Sequence, residues 1–289
     1  MKSEFWVSSS YFNSSKIEDL ILKAKNLNIF KIELSAGLNF DNNIKNKIID
    51  YEKQGFEFLI HNYFPQPIED FVINLGSLDL ENQKKTLEHC KSSINLASKL
   101  KNKIYTVHSG FAFEMNLNLL GNMTKQKNLI LNNSMKIDKS LENMITNSNK
   151  LLNYADSLGV SVYFENNMIP DINYQNVNQI PYHLIEPNGI KEFFNSLDYK
   201  NTGLILDVAH AKIVSKILNF NPQSYFDLQT IKLLQLSEPH GYEDTSNIFN
   251  KNSWFYENLN QYPYNKLILE IRYQNFQKVQ KLMKSIKIT

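Results

Sequence analysis

The chain has 289 residues, 42% of them hydrophobic and 12% aromatic, which is enough to bury a large core and excludes a disordered or fibrous protein. Lysine and arginine outnumber aspartate and glutamate by 31 to 29, and no basic run is long enough to follow a phosphate backbone, so nucleic acid is an unfavourable partner. The single Cys90, the lack of a signal-peptide core and the lack of a membrane-length apolar stretch together predict a cytoplasmic protein that does not enter the membrane.

Eight short apolar runs alternate with amphipathic helical segments, a pattern typical of parallel βαβ units. In chain order the runs are "EFWVSSS", "IFKIELSA" ending near Ala36, "FEFLIHNYF" ending near Phe64, "KIYTVHSGF" ending near Phe111, "VSVYFENN" ending near Asn167, "GLILDVAHA" ending near Ala211, "KLLQLSEPH" ending near His240 and "KLILEIRY" ending near Tyr273. Segments between them, such as "SSKIEDLILKAKNLN" and "NIKNKIIDYEKQG", repeat apolar residues three and four apart. Gly55 and Gly159 follow such segments and are predicted to be left-handed C-caps.

Eight strands, seven intervening helices and a final helix, "NFQKVQKLMKSIK", predict an α/β fold of the (β/α)8 TIM barrel type, as a single domain over residues 1–289. No glycine-rich phosphate fingerprint follows the first strand, which disfavours a dinucleotide-binding doubly wound sheet. Three connections are unusually long, namely 112–135, 168–186 and 241–252. All three leave the carboxyl end of a predicted strand, where loops build and cover the active site of a barrel.

The predicted strands end in side chains that commonly bind metal ions. They are His61, His108, Glu165, Asp207 with His210, Gln235 and Glu270. A single carboxylate could cap a helix, and a single histidine could be a satisfied core residue, so the inference depends on the whole set. Because the carboxyl ends of barrel strands meet at one mouth, the set predicts a divalent metal site there.

Four segments carry a resemblance to a known family. They are "TVHSG", "VYFENN", "LILDVAHAK" with its Asp-x-x-His pattern, and "LILEIRY". Together they resemble the xylose isomerase-like TIM barrel superfamily, which includes sugar phosphate isomerases and epimerases and also endonuclease IV. The resemblance spans nearly the whole chain, but its motifs are short, so it indicates the superfamily and leaves the substrate open.

The resemblance implies a ligand set of Glu165, Asp207, Gln235 and Glu270 for one divalent ion. Most epimerases have histidine where Gln235 stands, whereas hydroxypyruvate isomerase-like members have glutamine. An amide oxygen suits Mn²⁺ or Mg²⁺ better than tightly held zinc, although zinc, cobalt and iron remain candidates. The implied activity is that of an isomerase or epimerase of a small keto sugar or sugar phosphate, working through an ene-diolate whose negative charge the ion stabilises.

The expected catalytic pair is Glu165 and Glu270, one removing a proton and the other returning it, in an order that the sequence leaves open. His210 is expected to bind or polarise a substrate oxygen. Arg272 follows Glu270 by two residues, so strand alternation would place it on the same interior side. There it could hold an anionic substrate, orient a carboxylate or pair with a buried one.

A second reading is a multinuclear metal enzyme. His61 and His108 stand where endonuclease IV binds further metal, but in "EDTS" the residue two after Asp244 is Ser246 and not histidine. His240, in "LSEPHG", could supply a ligand to a second metal or could be an exposed loop residue. The segment "DVAHAKIVSKILNFNPQSYF" is also similar to iron enzymes that oxidatively modify peptides. A barrel that has lost its metal and only binds a partner is a third reading, and the oligomeric state stays open, a homo-oligomer included.

Overall fold

Eight parallel strands close into a barrel in the computed structural model, which describes residues 4–120, 122–132, 135–172, 174, 180–199, 201–261, 266–272 and 276–286. The strands are β1 (Glu4–Ser8), β2 (Lys31–Leu34), β3 (Glu57–His61), β4 (Ile104–His108), β5 (Ser161–Glu165), β6 (Thr202–Asp207), β7 (Ile231–Leu236) and β10 (Lys266–Leu269). They follow one another around the barrel in chain order, and β10 closes it by pairing with β1. The predicted (β/α)8 fold and its eight strands are therefore confirmed.

Helices separate the strands on the outside of the barrel. They are α1 (Ile17–Asn26), α2 (Ile44–Lys53), α3 (Leu80–Ala97), α4 (Met123–Asn132), α5 (Ile137–Ser157), α6 (Pro187–Asn195), α7 (Val208–Leu218), α8 (Asn258–Gln261) and α9 (Phe276–Ser285). Local sequence sets several of their ends: the Asp79 carboxylate caps α3, and Pro187 occupies the first turn of α6. Gly55 and Gly159 have φ values of 99° and 66°, which confirms the predicted left-handed turns.

The structure differs from the sequence-based prediction in four places. The sixth run is predicted to continue to Ala211, but β6 ends at Asp207 because that carboxylate accepts hydrogen bonds from the first amides of α7. The long connection 112–135 contains the helix α4, and the connection after β7 forms a hairpin of β8 (Glu238–His240) and β9 (Glu243–Asn247). Tyr273, the predicted end of the eighth run, lies outside the described residues, and β10 already ends at Leu269.

Alternate side chains of each barrel strand point inward and form two layers. The lower layer is apolar and consists mainly of Trp6, Leu59, Ile205, Leu233 and Ile268. Two residues further along each of these strands the side chain is polar, and all of these side chains lie at the carboxyl ends of the strands. The barrel thus presents its chemistry at one end and a packed plug beneath it.

The apolar residues on the outer face of the strands pack against the helices in one large cluster that runs from Val7 to Ile286. A separate rim cluster lies over the mouth, built from the loops after β3, β4 and β5 together with α4. It contains Val72, Phe111, Phe113, Met115, Ile130, Ile169, Ile172, Tyr182, Ile185 and Val214. None of the helices in the described ranges is long and apolar enough to cross a membrane.

Candidate metal centre

The polar strand ends predicted from the sequence meet at the carboxyl end of the barrel. The inward side chains there are Glu33 from β2, His61 from β3, His108 from β4, Glu165 from β5, Asp207 from β6, Gln235 from β7 and Glu270 directly after β10. Strand register accounts for the neighbours, because His108 is aligned with Glu165 and Asp207 is aligned with Gln235. Most of these polar groups are buried, which indicates a built site and not a solvated rim.

Glu165 is the central carboxylate of this site. One of its oxygens, Oε2, lies 3.6 Å from Nε2 of His61 and 3.3 Å from Nε2 of His108, and its other oxygen, Oε1, lies 3.4 Å from Nδ1 of His210. Ligand atoms that share an ion about 2 Å away are themselves separated by about 3 to 3.5 Å. Two ligand groups therefore share Glu165: one with His61 and His108, the other with Asp207 and His210.

Hydrogen bonds determine which nitrogen of His61 is available to a metal. Its Nδ1 lies 2.8 Å from the hydroxyl of Thr106, and that hydroxyl donates in turn to the carbonyl of Ile60. The hydroxyl therefore accepts the Nδ1 proton, which leaves the Nε2 lone pair directed at Glu165. Burial and the neighbouring His108 lower the pKa of His61 well below its usual value, so the ring is neutral, as a metal ligand requires.

Asn166 joins Asp207 and His210 to the end of β5. Its side-chain oxygen accepts a hydrogen bond from the backbone amide of Asp207 at 2.8 Å, and its side-chain nitrogen donates to the backbone carbonyl of Asp207 at 3.0 Å. Its own backbone carbonyl accepts Nδ1–H of His210 at 2.9 Å. Asn166 therefore sets the position of two side chains of the centre, although it contributes no ligand atom.

Asp207 can offer only one oxygen to a cation. Its Oδ1 accepts hydrogen bonds from the backbone amides of Ala209 and His210 at 2.7 and 2.8 Å, as the N-cap of α7. Its Oδ2 is buried and has no hydrogen-bond partner among the described residues. The same carboxylate thus begins a helix and presents a single oxygen to the centre.

Gln235 faces a second buried carboxylate, that of Glu33. Its side-chain nitrogen donates to Oε1 and Oε2 of Glu33 at 3.3 and 3.4 Å. Its side-chain oxygen is buried without a hydrogen-bond partner in the described part of the chain. The amide therefore has one end satisfied and the other end facing the centre.

The carboxylates of the centre repel one another strongly. Burial, followed by the charges of Asp207, Glu165 and Glu33, raises the pKa of Glu270 well above its usual range, and burial does the same to the pKa of Glu165. Burial also raises the pKa of Glu33 to about 8. Without a cation these groups would retain protons near neutral pH, and a divalent ion would let them ionise.

The residues at this mouth fit a divalent cation. Glu165 Oε2, Asp207 Oδ2 and the Gln235 side-chain oxygen come from three adjacent strands, and all three are buried without hydrogen-bond partners among the residues that the structure describes. Leaving such oxygens unsatisfied costs about 1–3 kcal/mol each. Cation coordination would offset that cost, and hard oxygen ligands of this kind suit Mn²⁺ or Mg²⁺.

The hairpin of β8 and β9 brings one further acidic group to the centre. The Asp244 carboxylate lies 3.7 Å from Nε2 of His210. Burial opposes a charged ring at His210, but the carboxylates of Asp207, Asp244 and Glu165 raise its pKa well above its usual value. The hairpin is held to α7 by an ion pair between Lys212 and Glu238 and by Lys216, whose Nζ lies 3.9 Å from the ring centre of Tyr242.

Two residues proposed from the sequence do not join the ligand groups. His240 ends β8 and is exposed, so the structure places it at the surface of the hairpin. Arg272 lies beyond the end of β10, and it too is exposed. Burial alone would raise the pKa of Asp244, but the hydrogen bond and the charge of His210 lower it overall. The positive charge of Arg272 adds a smaller lowering.

Sequence reasoning missed Glu33, Asn166 and the contact of Asp244 with His210. Glu33 lies inside the run "KIEL", and only its inward direction between the outward Ile32 and Leu34 distinguishes it from a helix-capping or surface residue. Asn166 acts through backbone groups, which leave no pattern in the side-chain sequence. A search for charged residues at inward positions inside apolar strands would have found Glu33.

Comparison with known proteins places this barrel in a family. A family model described as a xylose isomerase-like TIM barrel matches residues 32–284. The chain belongs to that family. A search of curated proteins by sequence found no match.

Solved structures of the same fold include several sugar epimerases. A D-tagatose 3-epimerase-like protein is 20% identical with a TM-score of 0.70, covering 99% of this chain and 97% of that one. The 3-keto-D-glucoside 4-epimerase of E. coli is 13% identical with a TM-score of 0.67 and full coverage of both chains. A protein of Thermus thermophilus, described as soaked with ZnCl2, is 16% identical with a TM-score of 0.61, covering 98% and 97%. At these identities the likeness shows the shared xylose isomerase-like fold.

Proposed function

We propose that the protein is a divalent metal-dependent isomerase or epimerase of a small keto sugar or sugar phosphate. The observation that carries the proposal is the convergence of three unpartnered buried oxygens, from Glu165, Asp207 and Gln235, beside the carboxyl group of Glu270. A fold shared with proteins described as sugar 3-epimerases and a 4-epimerase supports the substrate class.

The proposed metal ligands are Glu165, Asp207, Gln235 and Glu270. A divalent ion bound to them would stabilise the negative charge that develops on the substrate oxygens when a proton leaves the carbon beside a carbonyl. Because three of the four ligands are carboxylates and the fourth is an amide, Mn²⁺ or Mg²⁺ is the expected ion.

The chain's own residues would move the proton. Glu165 and Glu270 form the proposed pair: one accepts the proton from the substrate carbon and the other returns a proton. His210 is held by Asn166 and lies between Glu165 and Asp244, where its ring can donate to a substrate oxygen. Buried surroundings exclude water from the Glu165 carboxyl group and so keep its basicity high.

The deciding experiment is hydrogen exchange in deuterated water. Protein loaded with Mn²⁺ is incubated with ketoses, ketose phosphates and hydroxypyruvate, and deuterium is expected beside the carbonyl of the true substrate. Glu165→Gln and Glu270→Gln should each lower the exchange rate by about 10²- to 10⁴-fold, the usual contribution of a positioned acid or base.

Glu57→Gln is the matched control. Glu57 begins β3 at the opposite end of the barrel, where it pairs with Lys101, so its exchange rate should equal that of the unmodified protein. Unchanged exchange in both centre variants, or no exchange with any member of the panel, would contradict the proposal.

A second candidate function, a multinuclear metal enzyme, is favoured by the group of His61, His108 and Glu165. Two histidine nitrogens and a shared carboxylate suit zinc or iron, as in an endonuclease IV-like phosphodiesterase or an iron-dependent oxidative enzyme. Five carboxyl groups in one centre, those of Glu33, Glu165, Asp207, Asp244 and Glu270, also exceed the charge of a single divalent ion. Against a third metal, Ser246 stands two residues after Asp244 and offers a hydroxyl in place of an imidazole.

Metal analysis separates the two candidates. One exchangeable Mn²⁺ or Mg²⁺ per chain supports the isomerase, and two or three tightly held zinc ions with cleavage of abasic-site DNA support the nuclease. Redox-active iron supports the oxidative enzyme. His61→Ala should leave a single-metal isomerase able to bind Mn²⁺, whereas it should remove one metal from a multinuclear centre.

A further inference from the structure

We propose that Glu33 is a positioning residue that holds the Gln235 amide with its oxygen toward the metal. This inference rests on the metal centre of the proposed function, and it does not depend on which substrate the enzyme takes. Glu33 is fully buried on β2, and both of its carboxylate oxygens lie within 3.4 Å of the Gln235 side-chain nitrogen.

A glutamine ligand needs such a partner because its two ends are chemically opposite. The amide oxygen can coordinate a cation, whereas the NH₂ end carries hydrogens and turns a positive partial charge toward the ion. The two orientations differ by a half-turn of the terminal torsion and have nearly the same shape. Packing alone therefore selects poorly between them.

The Glu33 carboxyl group makes that selection, because both of its oxygens lie within 3.4 Å of the Gln235 side-chain nitrogen, and a carboxyl group, which carries at most one proton, always offers that nitrogen an acceptor. The amide nitrogen must face Glu33, and the oxygen must then face the other way. The structure agrees, because the Gln235 oxygen is buried without a partner among the described residues while the nitrogen is shared by both oxygens of Glu33.

Glu33 is itself held from the side opposite Gln235. In the register of β1 and β2 it is aligned with Ser8, whose buried hydroxyl hydrogen-bonds its carboxylate. The Ser10 hydroxyl donates to that of Ser8 at 3.1 Å, so the Ser8 proton remains free for Glu33. Two donors therefore hold the carboxylate, and only the Gln235 donor belongs to a proposed metal ligand.

The test measures Mn²⁺ binding to the full-length protein by calorimetry and by the EPR signal of free Mn²⁺. Glu33→Met removes the acceptor at nearly constant volume, and Glu33→Gln removes the charge but retains an acceptor oxygen. We expect Glu33→Met to weaken Mn²⁺ binding about 10- to 100-fold, the usual cost of losing a partner of a metal ligand, and Glu33→Gln to weaken it less.

A double-mutant cycle with Gln235→Ala shows whether Glu33 acts through Gln235. In the Gln235→Ala protein, Glu33→Met should cause no further loss of Mn²⁺ affinity. Equal losses in both backgrounds, or equal losses from Glu33→Met and Glu33→Gln, would mean that only the charge of Glu33 matters and would overturn the proposal. Unchanged Mn²⁺ affinity in Glu33→Met would overturn it too.

The failures of the two proposals are distinguishable. Normal Mn²⁺ binding without sugar exchange would contradict the isomerase and leave the role of Glu33 intact. If the unmodified protein binds no divalent ion, both the isomerase proposal and the proposed role of Glu33 are contradicted. Circular dichroism and the melting temperature of the metal-free variants check the fold, and we expect Glu33→Gln to be more stable than Glu33→Met, because Glu33→Met leaves the Gln235 amide nitrogen and the Ser8 hydroxyl without an acceptor.

Discussion

The two layers inside the barrel are built on the same strands with the same alternation of side chains, yet one is apolar and packed, and the other is polar. In the lower layer Ile205 and Leu233 are buried among apolar neighbours and complete a packed plug. Two residues later, Asp207 and Gln235 are equally buried but present oxygens that no described residue satisfies. The comparison teaches that burial alone does not distinguish structural from functional positions, whereas burial of unsatisfied groups does.

The largest expected contrast comes from two residues on one strand. Leu233→Ala should destabilise the protein by about 2–5 kcal/mol through a cavity in the lower layer and leave Mn²⁺ affinity unchanged. Gln235→Ala should do the reverse, lowering Mn²⁺ affinity with little loss of stability. Urea unfolding with EDTA and Mn²⁺ titration measure both quantities. A shared loss of stability and metal affinity in both variants would show that the layers are coupled.

The next contrast is the pH dependence of the metal-free protein. Glu33, whose folded-state pKa is about 8, and Glu165 and Glu270, whose pKa values are raised well above their usual range by burial and mutual repulsion, bind protons in the folded state that the unfolded chain has released. Stability should therefore fall as pH rises from about 7 to 8, by about 1.4 kcal/mol per pH unit for each extra proton bound, and the contribution of Glu33 should level off above its folded-state pKa. The depressed histidine His61 does not contribute in this window, because its unfolded form is already neutral.

Melting temperatures in EDTA and in saturating Mn²⁺ test this expectation. The slope with pH should be clear in EDTA and much smaller with Mn²⁺, since coordinated carboxylates no longer bind protons. Equal slopes under both conditions would mean that the cation does not bind to these carboxylates.

The smallest expected difference is in Mn²⁺ affinity between variants of two neighbouring asparagines, Asn166 and Asn167. Asn166→Ala removes both side-chain hydrogen bonds to the Asp207 backbone and should weaken Mn²⁺ binding by about tenfold, the equivalent of about 1.4 kcal/mol. Asn167→Ala is the matched control, because its side chain donates to the carbonyls of Gly110 and His183, away from the ligands. Equal effects of the two variants on Mn²⁺ affinity would leave Asn166 without a special role.

The fold could be predicted from the sequence because each strand is a short apolar run between amphipathic helices. The residues at which those strands end were harder to predict from the sequence. "GLILDVAHA" has no change in hydrophobicity at Asp207, and only the capping hydrogen bonds of that carboxylate show where the strand stops. The helix α4 lies in a segment predicted as a loop, and its apolar residues pack on the rim cluster and not on the barrel.

The site could be predicted where its residues end a strand, and not where they act from within one or through the backbone. His61, His108, Glu165 and Asp207 each end a strand, and Gln235, one residue before the end of β7, stands in a run whose last residues are polar. Glu33 acts from within a strand and Asn166 acts through backbone groups. Their contacts depend on strand register, which a single sequence does not specify. For Arg272 the sequence predicted an interior side chain, whereas the structure has this residue exposed.

The rim cluster has an evolutionary consequence. Because α4 and the loops around it bury their apolar residues against one another, exchanges among Phe113, Ile130 and Tyr182 can reshape the entrance while the strands beneath keep their register. The proposed metal-binding end of the barrel, to which seven strands contribute residues, has no comparable freedom, since each substitution there disturbs partners on several strands at once.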